Sequence, residues 1–404
     1  MSPALLTAAP HRLLFFVGAG NVLLAMAWWL LWLLDVRWGA IGLPAGTPFG
    51  GWMHAFVMQY QLLPPFMFGF LMTTFPRWMG LPELGRWHYL PVGLGLLGGQ
   101  LAVVGGMLLG RQAMIHVGVL MTLAGWSYGL VQLLRVLLAE RRAGRGPTWH
   151  AWSCFAALTL GLAGVLLMAA FLHGAGAWTV QASIKLGTFG LLLPVYATVA
   201  HRMFPFFAGN VVPGYRAWRP LWLLTALWGL LLAHLALELV HANAWLWPVD
   251  AALALGSAWT LWRWWPRGRA PGILWVLFVG FAWLPVAFAL YAVQSAILAA
   301  DGGFLLGRGP AHALFIGFFS SLLVAMVTRV TQGHSGRPLA MPAAGWFAFA
   351  LLQLVALTRI AAELAPDGYR WQAVAAAGWL LAFLPWVLRS LSIYLHPRAD
   401  GRPG

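Results

Sequence analysis

Twelve histidines and a single lysine, Lys185, carry much of the chemistry open to this chain of 404 residues. Two of the histidines, His54 and His312, stand inside long apolar runs. An ionisable side chain in hydrocarbon is costly, so a ligand or a partner is expected to hold it there. Neutral imidazole is a usual axial ligand of haem iron and a good ligand for copper. Met58 and Gln61 follow His54 at i+4 and i+7, which is one face of an α-helix. Pro64-Pro65 next removes backbone donors and bends that helix. Spacing alone leaves two readings of the His54/His312 pair open: iron ligation, with Met58 nearby, or interhelical hydrogen bonding.

Three further groups invite the same question. His234, Glu238 and His241 follow at i, i+4 and i+7 and share a face if their helix persists. Two imidazoles and a carboxylate suit a first-row metal such as copper, iron or zinc, although a solvated helix end explains the same residues. Lys185 stands on a face with Gln181 and Thr188. It can address an anionic ligand such as a haem propionate, pair with a carboxylate (Asp250 or Glu238), or snorkel to the surface. Arg202, Arg329, His334 and Arg337 gather at the other end of the apolar runs, with Gly333 and Gly336 permitting tight turns. These arginines can hold an anion or cap carbonyls, or serve only as positive anchors at the membrane edge.

The elements that must position these residues are membrane helices. The chain is 61% hydrophobic and 8% charged, against roughly 25% charged in soluble domains. Twelve apolar runs are long enough to cross a bilayer: 13–34, 52–74, 89–109, 113–138, 151–172, 178–200, 218–240, 243–264, 273–299, 305–331, 341–363 and 371–395. The first is too long and too rich in tryptophan to read as a signal peptide. The expectation is one all-α polytopic membrane domain over 1–404.

The net charge of +15 does not mark a nucleic-acid binder. With the N-terminus in the cytoplasm, only Arg37, Arg111, Arg308, Arg359 and Arg370 fall on the outer side. The rest, Arg145 and Arg402 among them, fall inside, a positive-inside bias that favours twelve spans, cytoplasmic termini and attraction to anionic lipid. One cysteine, Cys154, excludes an intramolecular disulfide and a thiolate cluster, so a metal needs His, Met or carboxylate. No nucleotide-binding glycine loop after a strand, zinc-protease motif or nucleophile elbow is present.

Three segments resemble the NnrS family. They are His312-Ala313-Leu314 through Gly333-His334-Ser335-Gly336-Arg337-Pro338-Leu339, Arg202-Met203-Phe204-Pro205-Phe206-Phe207-Ala208-Gly209-Asn210, and Gly69-Phe70-Leu71-Met72-Thr73-Thr74-Phe75-Pro76-Arg77-Trp78-Met79-Gly80. The resemblance extends over nearly the whole chain. It implies a bacterial inner-membrane protein of twelve helices that contains haem and copper and is associated with nitric oxide stress and denitrification. One departure stands in the second run. Where the family usually has Trp-His-Ala-His-Glu-Met, this chain has Met53-His54-Ala55-Phe56-Val57-Met58. A site that needs the second imidazole or the carboxylate is therefore changed here, while a bis-His haem through His54 and His312 survives. At the level of fold the pattern is also similar to the main subunit of haem-copper oxidases. That subunit's His-Pro-Glu-Val-Tyr motif is replaced by Leu193-Pro194-Val195-Tyr196, and the adjacent His pair of its next helix is missing. Reduction of oxygen or nitric oxide by that binuclear route is not expected.

The expected function is thus a membrane haem b protein of the NnrS type engaged in nitric oxide response, binding nitric oxide or passing electrons from a respiratory donor or complex. Whether it is an enzyme is left open. A transporter or metallocofactor-handling protein, and a structural subunit of a respiratory complex, are the alternatives.

Overall fold

The computed structural model describes residues 3–44, 47–144 and 148–401; Arg145 and Arg402 lie outside the described residues. The chain is helical, with no strand among the described residues. The long helices are α1 (Pro10–Trp38), α2 (Gly50–Met79), α3 (Arg86–Leu109), α4 (Gln112–Ala143), α5 (Trp149–Leu172), α6 (Trp178–Val211), α7 (Leu221–Leu239), α8 (Trp247–Trp264), α9 (Gly272–Asp301), α10 (Gly309–His334), α11 (Ala343–Ala361) and α12 (Gly368–Leu395).

Eleven helices among the described residues are long and apolar enough to cross a membrane. The remaining one is α8. Its 18 residues include Asp250, Arg263 and four tryptophans, and Asn243–Trp245, expected within this run, forms a short 3-10 turn instead. Leucines such as Leu94, Leu101, Leu255, Leu354 and Leu381 face outward along the helices. Outward apolar faces on so many long apolar helices define a multi-pass membrane protein.

Glycine and proline punctuate these helices. Gly39 and Gly110 end α1 and α3 with φ of 61° and 65°, the left-handed cap that a Cβ disfavours. Pro76, Pro205, Pro285 and Pro385 sit inside helices, as membrane helices tolerate when neighbours satisfy the freed backbone groups.

The chain divides into two compact units, Met1–Val195 with Val387–Gly404, and Tyr196–Trp386. In the first, α3 and α4 pack backbone to backbone. A Cβ on Gly95 would meet Gly125, and one on Gly99 would meet Gly118 and Thr122, so only small residues allow this approach. Buried Trp126 of α4 then donates its indole N–H to Leu158 O of α5 at 2.9 Å. In the second unit α8 lies against α9, and Trp264 at the end of α8 donates to Trp218 O at 2.8 Å. Tyr215, in the turn after α6, donates to Trp264 O at 2.9 Å. An aromatic core follows, with Phe204 5.6 Å from Phe278 and Phe281 5.9 Å from Phe318 between ring centroids.

Candidate functional site

Among the described residues three stretches of π-helix interrupt the spans, and each begins within three residues of a side chain singled out in the sequence. Val57–Leu62 follows His54 in α2, Leu186–Leu192 follows Lys185 in α6, and Ala313–Ser320 follows His312 in α10. A π-helix bonds i to i+5, is rare, and concentrates at functional sites. It also frees or tilts carbonyls that other groups must satisfy in a medium without water. Those groups are present. Asn21 Nδ2 donates to Gln61 O at 2.8 Å, Thr188 Oγ1 to Ile184 O at 3.2 Å, and Ser320 Oγ to Phe315 O at 2.6 Å.

The π geometry changes two faces expected from α-helical spacing. Val57 starts the wider turn, so Met58 and Gln61 leave the register that i+4 and i+7 would give them with His54. Met58 is buried, and Gln61 donates to Thr122 Oγ1 at 2.9 Å. The face Gln181–Lys185–Thr188 breaks for the same reason at Leu186. Gln181 is exposed, Lys185 half-buried, and Thr188 buried as the acceptor from Gln59 Nε2 at 2.9 Å.

His54 is half-buried and stacks on Trp29, with ring centroids 4.0 Å apart and planes 14° from parallel. Around it the first unit buries a neutral polar network. Tyr60 donates to Ser183 O at 2.6 Å, Ser183 to Gly164 O at 2.8 Å, and Gln100 Nε2 to Asn21 O at 2.9 Å. The glycines are part of this design, because a Cβ on Gly164 would overlap the Tyr60 hydroxyl and one on Gly187 would overlap Gln59 Oε1. Neither Gln59, Tyr60 nor Gln100 was singled out in the sequence. A run of Gln-Tyr-Gln inside an apolar helix was the available signal.

His312 belongs to the second unit. Its Nδ1 stands 2.9 Å from Arg308 O. A carbonyl only accepts, so Nδ1 carries the proton and Nε2 is the basic nitrogen, the tautomer a metal-ligating histidine needs. Below it Trp283 packs over Gly317, donates to Gln353 Oε1 at 2.6 Å, and Gln353 donates to Ser321 Oγ at 2.9 Å. Tyr196 lies 4.8 Å from Phe319 between ring centroids. Charged groups stand near this end of α10: Glu363 lies beside Gly307 and Gly309 and pairs with Arg359.

The group on α7 differs from expectation. The helix ends at Leu239, and His241 adopts φ 58° and is exposed, which takes it off the face of His234 and Glu238. Its place beside His234 is filled by Asp250 of α8. Asp250 Oδ1 lies 2.6 Å from His234 Nδ1, and Glu238 Oε1 lies 3.5 Å from Nε2; both His234 and Asp250 are 0% exposed. The Tyr291 ring stands edge-on to the imidazole at 5.5 Å. Asp250 and Glu238 were the carboxylates open to Lys185 under one of its three readings; both are engaged by His234. The hairpin geometry explains the pairing. His234 lies about 7.5 Å back from the end of α7 and Asp250 about 4.5 Å into α8 at 1.5 Å per residue, so a short connection between antiparallel helices brings them to a similar depth. Among the described residues no three His, Cys, Asp or Glu side chains are arranged to hold a metal ion.

The basic group in the second unit is dispersed over several contacts. Arg329 is buried with its guanidinium 3.9 Å from the centre of the Phe207 ring. The backbone carbonyl of Arg202 accepts from Arg219 at 3.4 Å, His334 Nδ1 stands 3.0 Å from Val330 O, and the Arg337 amide donates to Gln332 O at 3.1 Å. Of the two glycines expected to make the turn, Gly336 does so at φ 68°, while Gly333 lies inside the last turn of α10.

A multi-pass helical membrane protein with polar side chains and π-helical stretches buried in its spans is the class this architecture defines. The chain belongs to the NnrS family: the family's model, described as NnrS protein, matches residues 5–398. No protein of curated function matches it in sequence.

Proposed function

We propose that this NnrS-family protein is a haem b protein of the bacterial inner membrane that responds to nitric oxide, with His54 and His312 as the candidate axial ligands. The observation that carries the reading is the coincidence of π-helix with candidate ligands. His54 and His312, both half-buried, each stand at the mouth of such a stretch. The chemistry of the donors fits. His312 presents Nε2 as its basic nitrogen, and the indole of Trp29 holds the His54 ring flat against it. Lys185, at the mouth of the third stretch, supplies a cation suited to a propionate.

A bound haem supplies one-electron chemistry and affinity for nitric oxide. This chain's residues do the rest: Arg308 O fixes the tautomer of His312, and Trp29 orients the ring of His54. A haem held by both His54 and His312 would favour passing electrons from a respiratory donor over catalysis. Twelve spans with both termini cytoplasmic, in the manner of the haem-copper oxidase main subunit, belong to the same reading, with α8 as the twelfth. Copper is the less supported cofactor, because His241 has left the face of His234 and Glu238.

Visible spectroscopy of the detergent-solubilised protein tests the haem. A low-spin b-type spectrum is expected, and His312→Ala and His54→Ala should each convert it to high spin or abolish it. His334→Ala should leave it unchanged. A folded protein without a Soret band overturns the haem assignment, and a spectrum lost only in His334→Ala moves it to the other end of α10.

A further inference from the structure

Two histidines not used above meet at one end of the first unit. His116 lies one turn inside α4, and His173 follows the last residue of α5. Because α4 and α5 are consecutive antiparallel helices, the start of one and the end of the other share a level. Their imidazole centroids are 4.8 Å apart with the planes at 54°. His116 is half-buried and His173 exposed. His116 lines a cavity of ≈ 290 Å³ together with Thr47, Pro48, Gln112, Ile115 and Phe171.

We propose that His116 and His173 form a binding site for a divalent first-row transition-metal ion of borderline softness, such as zinc, nickel or copper(II). The spacing is the first argument. With metal–nitrogen bonds of ~2.0–2.1 Å, two imidazoles on one ion at a square or tetrahedral angle have centroids roughly 4.5–5.2 Å apart. The observed separation falls within that range. The ligand type is the second. Two neutral imidazoles favour these ions over magnesium and calcium, which take oxygen ligands. The third is access: the cavity beside His116 leaves room for water or an added ligand to complete the coordination, so the site is open. This site is independent of the haem reading and of the His234 cluster, which lies in the second unit.

The full-length protein in detergent, freed of metal by a chelator, is titrated with copper(II) as the probe, because copper heads the affinity series and its paramagnetic resonance reports bound nitrogens. One copper per chain with a two-nitrogen signature is expected. His173→Ala and His116→Ala should each weaken that copper at least tenfold and remove the two-nitrogen pattern, while His88→Ala, at a half-buried position elsewhere, should not. Zinc should compete for the same site. His173 is exposed and beyond the helix end, so its replacement leaves folding intact, and an unchanged Soret region and circular dichroism verify this. Copper affinity and signature unaltered by His173→Ala overturn the proposal, as does a one-nitrogen signature in the unmodified protein.

Discussion

The two units solve the same problem, polar chemistry in an apolar solvent, by different means. The first buries a network of neutral amides, beside ionisable groups such as Arg12 and Glu140. Asn21, Gln59, Gln61 and Gln100 donate their amide hydrogens to carbonyls and hydroxyls, and each leaves its side-chain oxygen buried without a partner. The second buries ionisable groups, and pairs them: His234 between Asp250 and Glu238, and Arg359 with Glu363 at 2.5 Å. A neutral amide that misses one hydrogen bond forfeits about 1–3 kcal/mol, whereas an isolated buried charge costs several times more. The first unit therefore tolerates a loose amide oxygen at less cost than the second would bear for a loose charge. Its polar network is adaptable, while the acid–histidine cluster is all or nothing.

Asp250→Ala is the strongest way to break this contrast. Removing Asp250 leaves His234 and Glu238 buried with a single long contact of 3.5 Å between them. A loss of about 3–5 kcal/mol is expected, the usual result of deleting one partner of a buried ion pair. Thermal unfolding in detergent reads it directly. A destabilisation below about 1 kcal/mol would mean that the cluster is hydrated and not held by its pairing.

An intermediate effect is expected in the first unit from Gly164→Ala. The added methyl overlaps the hydroxyl of Tyr60, a rigid side chain already fixed by its 2.6 Å bond to Ser183 O. Overpacking of this kind costs about 1–3 kcal/mol. The companion change Tyr60→Phe removes the clashing atom, so the double variant should recover part of that loss. No recovery would show that α5 itself, and not Tyr60, resists the methyl.

Much of the fold was legible because apolar runs of membrane length are a direct physical signal, and eleven of the expected segments are helices that meet it. The exception, α8, is instructive: the residues that dilute its hydropathy include Asp250, which the structure pairs with His234. The candidate site was less legible. Periodicity of 3.6 assumes an uninterrupted α-helix, and the π stretches after His54 and Lys185 shift every residue behind them, so Met58, Gln61 and Thr188 left their expected faces. His241 was misplaced by a related assumption, that α7 continues past Leu239. The π turn after His54 was not legible because the donor that meets its carbonyl comes from another helix, Asn21 reaching Gln61 O. The partner of His234 was in principle available, since a short α7–α8 connection sets Asp250 level with it.

The smallest change tests the tolerant side of the comparison. Gln100 is fully buried in α3; its Nε2 donates to Asn21 O and its Oε1 meets no partner. Gln100→Leu removes one hydrogen bond, worth about 1 kcal/mol net, and with it an unsatisfied acceptor whose burial costs a similar amount. The leucine has comparable bulk, and Asn21 O remains within the hydrogen-bonding pattern of α1. The two terms should nearly cancel, giving a stability within about 1 kcal/mol of the unmodified protein in the same unfolding assay. A loss as large as that of Asp250→Ala would mean that Gln100 Oε1 is satisfied in solution, by ordered water joining the loose oxygens of Asn21, Gln61 and Gln100. The first unit would then be as tightly committed as the second, with water doing for its amides what Asp250 does for His234.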